Sequence, residues 1–376
     1  MIYLDNAATT CVYPEVADIM KEYCLHGYFN ASATYKPALK VRSDLSAARA
    51  TIASFLGAET NEVFFTSCAT ESNNWAIKNG FKNKNGNIVI SAGEHACVYE
   101  SAKSLESKGF DVRIASMNFD GDVNIDDLTS KVDEKTCLVS VIHVSNETGV
   151  VNNLKAISDQ IKRINPRVIF HSDGVQAFLK VDCNVKSLGV DMYSISGHKF
   201  HAPKGTGALY IDNKLHLAPY LNGGGQESGL RSGTENIAGI IGMAKAGEIF
   251  CTHRDNANPS ANFAVLADML NKIDGCKLIG CREKNSHYIA AASFSGCKAE
   301  ILQSMLADEG LLIGRGSACS SRHSGNRVLS AMNLPQNVID GTLRFSLSPE
   351  TEREEIIKAC KIVEENVKKL RGNNIG

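Results

Sequence analysis

The chain has 376 residues, 43% hydrophobic and 22% charged, with a formal net charge of −1. That length exceeds one small core and implies about two domains. The near-neutral balance gives no electrostatic footprint for nucleic acid or an anionic membrane, and no apolar run reaches the roughly 18 residues that span a bilayer. The opening "MIYLDNAATT" lacks the basic start and apolar core of a secretory signal, so a cytoplasmic protein is expected. Twelve cysteines are scattered along the chain. The nearest pair with ligand-like spacing, Cys276 and Cys281, has no second pair, so no metal site is expected.

In chain order, "PALKVRSDLSAARATIASFLGA" (37–58) reads as an amphipathic helix that stops at Gly57. "TSCATESNNWAI" (66–77) runs from a strand into a helix. Buried strands are predicted at "NIVISA" (87–92), "CLVSVIHVSN" (137–146), "VIFHSD" (168–173), "DMYSIS" (191–196) and "GALYI" (207–211). Helical spacing appears between them in "HACVYESAKSLESKG" and "LKAISDQIKRIN". This alternation predicts an α/β fold with a mainly parallel sheet covered by helices on both faces. Near residue 250 the pattern changes. "AVLADMLNKID", "AEILQSMLADEG", "LRFSLS" and a final helix from "PETEREEII" onward predict a smaller α+β domain.

Open α/β sheets bind ligands beyond the carboxyl ends of their strands. Four such ends carry polar groups: Asp173 with Gln176; Ser196, His198 and Lys199; Asn146; and His95. One aspartate at a strand end is more often a turn or a cap than a catalyst. Four ends feeding one crevice are harder to dismiss. Ser67, Ala69 and Thr70 bring backbone N–H groups to a helix start suited to phosphate, although Thr70 could equally be a plain N-cap. The segment lacks P-loop spacing. A phosphate cradle, a carboxylate, an amine and an imidazole together point to pyridoxal 5'-phosphate as cofactor.

The motifs "LDNAATT", "TSCATESNN", "GEHACV", "SNETGVV", "HSDGVQA", "SGHKFHAPKGTGALYI", "GGGQESGLRSGTEN", "GSACSS" and "LRFSLS" occur in this order, from residue 4 to about residue 348. The chain resembles the cysteine desulfurases, the NifS/IscS-like group of class V aminotransferase-fold enzymes. The resemblance implies the type I fold of pyridoxal-phosphate enzymes. Its large cofactor domain, with a mainly parallel seven-stranded sheet, would span 13–250. A small domain would join 1–12 to 251–376 and carry both the cysteine loop and the carboxylate-binding arginine. Position by position, Lys199 would bond the cofactor aldehyde. Asp173 would pair with the pyridine nitrogen and Gln176 with the ring hydroxyl. His95 would stack on the ring and shuttle protons. Ala69, Thr70, Ser196 and His198 would hold the phosphate, with Thr234 reaching over from a second copy in a homodimer. Asn146, Arg344 and Asn30 would bind the substrate carboxylate. Cys319, in "GRGSACSSRHSGNR", would take the sulfur as a persulfide. Arg315, Arg322, His323 and Arg327 nearby would favour its thiolate.

The implied reaction turns L-cysteine into L-alanine and passes sulfur to an acceptor protein, as in iron–sulfur cluster assembly. The pattern departs from the family's at Tyr35, Cys68, Asn222, Ser228, Arg315 and "SLSPE". These positions gather at the pocket mouth and the cysteine loop, so a selenocysteine lyase, with selenocysteine as substrate, is the alternative. A class V aminotransferase is disfavoured because it has no use for the "GSAC" cysteine. A carrier that has lost catalysis is disfavoured because Lys199, Asp173 and His95 are all present.

Overall fold

The computed structural model describes residues 1–80, 86–316 and 326–372. A short strand β1 (Ile2–Leu4) leads to helices α1 (Pro14–Leu25) and α2 (Lys36–Leu56). Strands and helices then alternate as β2 (Val63–Thr66), α3 (Ala69–Asn79), β3 (Asn87–Ser91), α4 (Ala96–Glu106), β4 (Asp111–Ala115), α5 (Ile125–Ser130), β5 (Thr136–Ser140) and α6 (Leu154–Ile164). They continue as β6 (Ile169–Asp173), α7 (Val185–Leu188), β7 (Met192–Ser196) and β8 (Gly207–Ile211). The remainder comprises α8 (Ile237–Asn256), α9 (Pro259–Lys272), β9 (Cys276–Ile279), β10 (Ile289–Phe294), α10 (Ala299–Asp308) and β11 (Leu311–Ile313). It ends with α11 (Arg327–Ala331), α12 (Gln336–Asp340), β12 (Thr342–Ser346) and α13 (Arg353–Gly372).

The main sheet has seven strands in the order β2-β8-β7-β6-β5-β3-β4. β3, β4, β5, β6 and β7 run parallel, while β8 runs against both β7 and β2. This is the mainly parallel seven-stranded α/β sheet the sequence implies. In β3, Ile88, Val89 and Ile90 are all at most 1% exposed, with Ile88 and Ile90 in one apolar cluster and Val89 in another. Burial on both faces is why such strands read as unbroken apolar runs. A third core joins Ile2 and Leu4 to Phe263, Leu302, Leu343, Phe345 and Val363 around a three-stranded antiparallel sheet β12-β10-β9. Helix α8 carries the chain without a break through residue 250.

Helix α2 stops where the sequence predicts, at Gly57, whose φ of 62° is left-handed. A Cβ there would also lie 2.4 Å from the Asn184 side chain. The strand predicted at 137–146 is shorter, ending at Ser140. Beyond it Val141 N and His143 N still donate to the β6 main chain, but side chains take both polar groups of Ile142: its N donates to Glu94 Oε1 (2.7 Å) and its O accepts from Asn152 (2.7 Å). The final helix begins at Arg353 rather than Pro349.

Candidate active site

Strands β5, β6 and β7 stop side by side, and the chain beyond each turns over one cavity. It measures about 310 Å³ and is walled by Thr70, His95, Asn146, Asp173, Gln176, Ser196, His198, Lys199 and Arg344, with Ala69 and Cys68 beside Thr70. Ten of the residues singled out from the sequence therefore meet in one place.

Each is fixed by the element that carries it. Asp173 ends β6; its Oδ1 accepts from Val175 N (3.0 Å) and its Oδ2 from Asn73 Nδ2 (2.6 Å). His95 caps α4, its Nδ1 accepting from Cys97 N at 3.2 Å. An accepting Nδ1 leaves the proton of the neutral ring on Nε2. Burial pulls the His95 proton affinity below the ordinary 6.5, against an upward pull from Asp173. His198 is pulled further, to about 4, by burial and then by the charges of Lys199, Lys204 and Lys180. Both imidazoles are therefore neutral at pH 7.

Lys199 lies in the turn after β7, and Nζ donates to Ala7 O (2.7 Å) and Ala8 O (2.8 Å). The N-terminal segment thus forms one wall of the site. It is pinned in turn by β12, where Ser346 Oγ accepts from Ala7 N (2.8 Å) and Ser346 O from Asn6 (2.9 Å). Arg344, also on β12 and 7% exposed, donates to Asn146 O (2.8 Å) and Asp5 Oδ1 (3.0 Å).

Cys68, the N-cap of α3, has φ −176° and makes no side-chain cap, so a side chain costs the backbone nothing at this departure from the family pattern. Thr70 is not the cap; it sits in the first turn. The tight position is across from it. At Gly207 a Cβ would lie 2.9 Å from the Cys68 carbonyl carbon, so glycine lets β8 pass against the start of α3.

Of the three other expected residues, two lie elsewhere and one is outside the described residues. Thr234 borders a separate cavity with Ser67, Arg231 and Asn236. Asn30 is not on the wall; its Oδ1 accepts from Ser32 N in a local turn. Cys319, with Arg322 and His323, lies outside the described residues. Arg315 pairs with Glu300 at 3.1 Å, and Arg327 donates to the main-chain oxygens of Ala92 and Glu94.

Some participants escape the sequence reading. Asn73 bridges Asp173 and Cys97, whose Sγ lies 3.1 Å from Asn73 Nδ2 and 3.0 Å from His95 Nδ1. Burial pushes the Cys97 thiol up to about 12, so it remains a thiol. A faint signal existed: Asn73 falls three residues after Thr70 on one helix face.

A phosphorylated pyridine aldehyde suits this donor set. α3 presents first-turn N–H groups with no side-chain cap to compete for them. A carboxylate and a primary amine share the cavity. Two buried polar atoms on its wall, Asn146 Oδ1 and Arg344 Nε, lack a protein partner among the described residues. Among those residues no three His, Cys, Asp or Glu side chains gather to hold a metal ion.

The class-V aminotransferase family model matches residues 2–358. A cysteine desulfurase from Trichormus azollae is 35% identical, over 99% of this chain and 94% of the relative. Among solved structures, a NifS-like protein superposes with a TM-score of 0.90 at 32% identity, over 97% of this chain and 98% of that one. The structure described as SspA in complex with cysteine matches with a TM-score of 0.84 at 32% identity, over 93% and 99% of the two chains. The Lys199–Asp173–His95 cavity thus stands in a chain that belongs to the class-V aminotransferase family, among its cysteine desulfurases.

Proposed function

We propose that this protein is a pyridoxal-phosphate-dependent cysteine desulfurase, converting L-cysteine to L-alanine and leaving the sulfur as a persulfide on Cys319. The observation that carries the reading is the convergence of Lys199, Asp173, Gln176, His95 and Arg344 on one cavity at the strand ends. The relatives' names favour cysteine over selenocysteine.

When bound, the cofactor supplies an aldehyde for an amine and a ring that takes up the electron pair released at the substrate's Cα. Arg344 and Asn146 hold the substrate carboxylate, Arg344 through a planar fork of donors. Lys199 removes the Cα proton. Asp173 pairs with the ring nitrogen, and Asn73 and Val175 N fix its orientation. His95 meets the cavity as a neutral imidazole whose Nε2–H can give a proton and take it back. The Cys319 thiolate attacks the substrate sulfur. The C–S bond breaks as the S–S bond forms, and protons complete alanine. No outside oxidant is needed, since cysteine plus a thiol equals alanine plus a persulfide.

The phosphate falls to Ala69, Thr70, Ser196 and His198. Thr234 serves the site of a second copy, so the working form is a homodimer. A large domain over 13–250 holds the cofactor, and a small one of 1–12 and 251–376 brings Arg344 and the cysteine. The protein works in the cytoplasm and hands sulfur to an acceptor protein, such as one that assembles iron–sulfur clusters. Among the described residues no helix is long and apolar enough to cross a membrane.

The test is alanine release from L-cysteine and from selenocysteine with a reducing thiol, in wild type and Cys319→Ala. The expected result is turnover of cysteine by wild type. Cys319→Ala should keep bound cofactor but carry no protein-bound sulfur. Turnover of selenocysteine alone, or bound sulfur in the variant, would contradict the proposal.

A further inference from the structure

Gln176 sits between two groups of fixed hydrogen-bonding sense. Its Nε2 donates to Ala7 O at 2.9 Å, and its Oε1 accepts from Lys180 Nζ at 3.2 Å. The Ala7 carbonyl can only accept, which sets Nε2 against it, and the Lys180 amine, charged or neutral, has N–H groups to give to the Oε1 this leaves. Flipped, it would set Oε1 against Ala7 O, two acceptors face to face, and lose the bond from Lys180 to Oε1. Ala7 O is shared with Lys199 Nζ, so the Gln176 amide is one bond removed from the reacting amine. One Nε2 hydrogen is committed to Ala7 O. Among the described residues no second acceptor takes the other, and Gln176 is part of the cavity wall.

The chain goes to some trouble to bring Lys180 there. Leu179, the residue before it, has φ 64°, in the left-handed region that a leucine rarely enters. Leu179 is buried, and its carbonyl is held by Arg254 Nη1 at 2.9 Å. That backbone turn lets Lys180, four residues after Gln176, reach back to its Oε1. The Lys180 nitrogen lies over the Tyr288 ring, 5.7 Å from its centroid. Leu179 lies three residues beyond the wall residue Gln176, and observed strain so near a site is a reason to look for a function.

We propose that Lys180 is a positioning residue: by donating to Gln176 Oε1 it holds the amide with Nε2 toward the cavity, as a donor to the oxygen on the cofactor ring. The inference rests on the cofactor reading above. Burial and the neighbouring Lys199 pull Lys180 down to about 7. Its donor role survives that loss of charge, because a neutral amine keeps two N–H groups.

A double-mutant cycle tests this on the reconstituted enzyme, with pyridoxal phosphate as the probe. Gln176→Ala, Lys180→Met and the double variant are compared by the dissociation constant for the cofactor and the absorption maximum of the bound form. Lys180→Met alone should weaken binding about tenfold, the scale of one orphaned buried acceptor, and shift the absorption band. In the Gln176→Ala background it should change neither. Lys180→Arg, which keeps a donor, should stay near wild type. If Lys180→Met does not fold, Lys180→Leu, which also lacks a donor, takes its place in the cycle. Additive effects, or a Lys180→Arg as weak as Lys180→Met, would overturn the role of Lys180 and leave the cofactor reading standing. A wild-type protein that takes up no pyridoxal phosphate would overturn both.

Discussion

Glu94 precedes His95 and is wholly buried. Its Oε1 accepts from Ser91 Oγ (2.7 Å) and Ile142 N (2.7 Å), while Oε2 has no partner among the described residues. Burial pushes its carboxyl up from 4.5 to about 8, with Asp173 adding to the rise and the Ser91 bond opposing it. Glu94 therefore carries a proton at neutral pH. A raised folded-state value means its contribution to stability is complete below 4.5 and lost as pH rises through about 8. Glu94→Gln needs no proton, so its melting temperature relative to wild type should climb between pH 5 and about pH 9. A difference that stays constant with pH would contradict this. His95, Asp173 and Lys199 were legible because each stands at a strand end within a dense motif. Glu94, Asn73 and Lys180 were not, because their significance lies in partners that packing supplies from other elements.

At the scale of elements, the turn Glu227–Gly229 is tied to α2 and β2 by one carboxylate. Arg49 meets Glu227 with both Nη atoms, at 2.6 and 2.7 Å, and Phe65 N donates to the same group at 2.9 Å. Glu227 and Ser228 have φ of 48° and 56°, so this anchor holds strained backbone leading to Thr234. Removing one partner of a buried pair leaves the other uncompensated, at a cost of about 3 kcal/mol or more. Lys155–Asp159 on α6 is a contrast: both side chains are about half exposed, at 57% and 48%. Urea unfolding should show Glu227→Ala destabilised by about 3 kcal/mol and Lys155→Ala by less than about 0.5 kcal/mol. Equal losses would contradict this reading of the turn. Helix α2 and strands β6 to β8 follow from periodicity and turn residues. The overlong strand after β5 could not be corrected from periodicity, because Val141, Ile142 and Val144 are as apolar and buried as the true strand.

For the whole molecule, the site is closed by contacts between distant parts of the chain. The Ser346 bonds to Asn6 and Ala7 span some 340 residues, and no local pattern announces them. A second seam joins the same parts: Glu350 accepts from Tyr13 (2.5 Å) and His253 (2.8 Å) and faces His201 Nε2 at 3.2 Å. This is where "SLSPE" departs from the family pattern, and the glutamate it introduces is spent on that seam. The order of motifs was readable because several of them mark strand ends; the closure by residues 5–10 was not.

The most direct test is borohydride reduction of the protein loaded with pyridoxal phosphate, followed by peptide mapping by mass. A single pyridoxyl adduct on Lys199 is the expected result. An adduct on Lys180 or another lysine, or no adduct at all, would contradict the assignment on which the chemistry of this cavity rests.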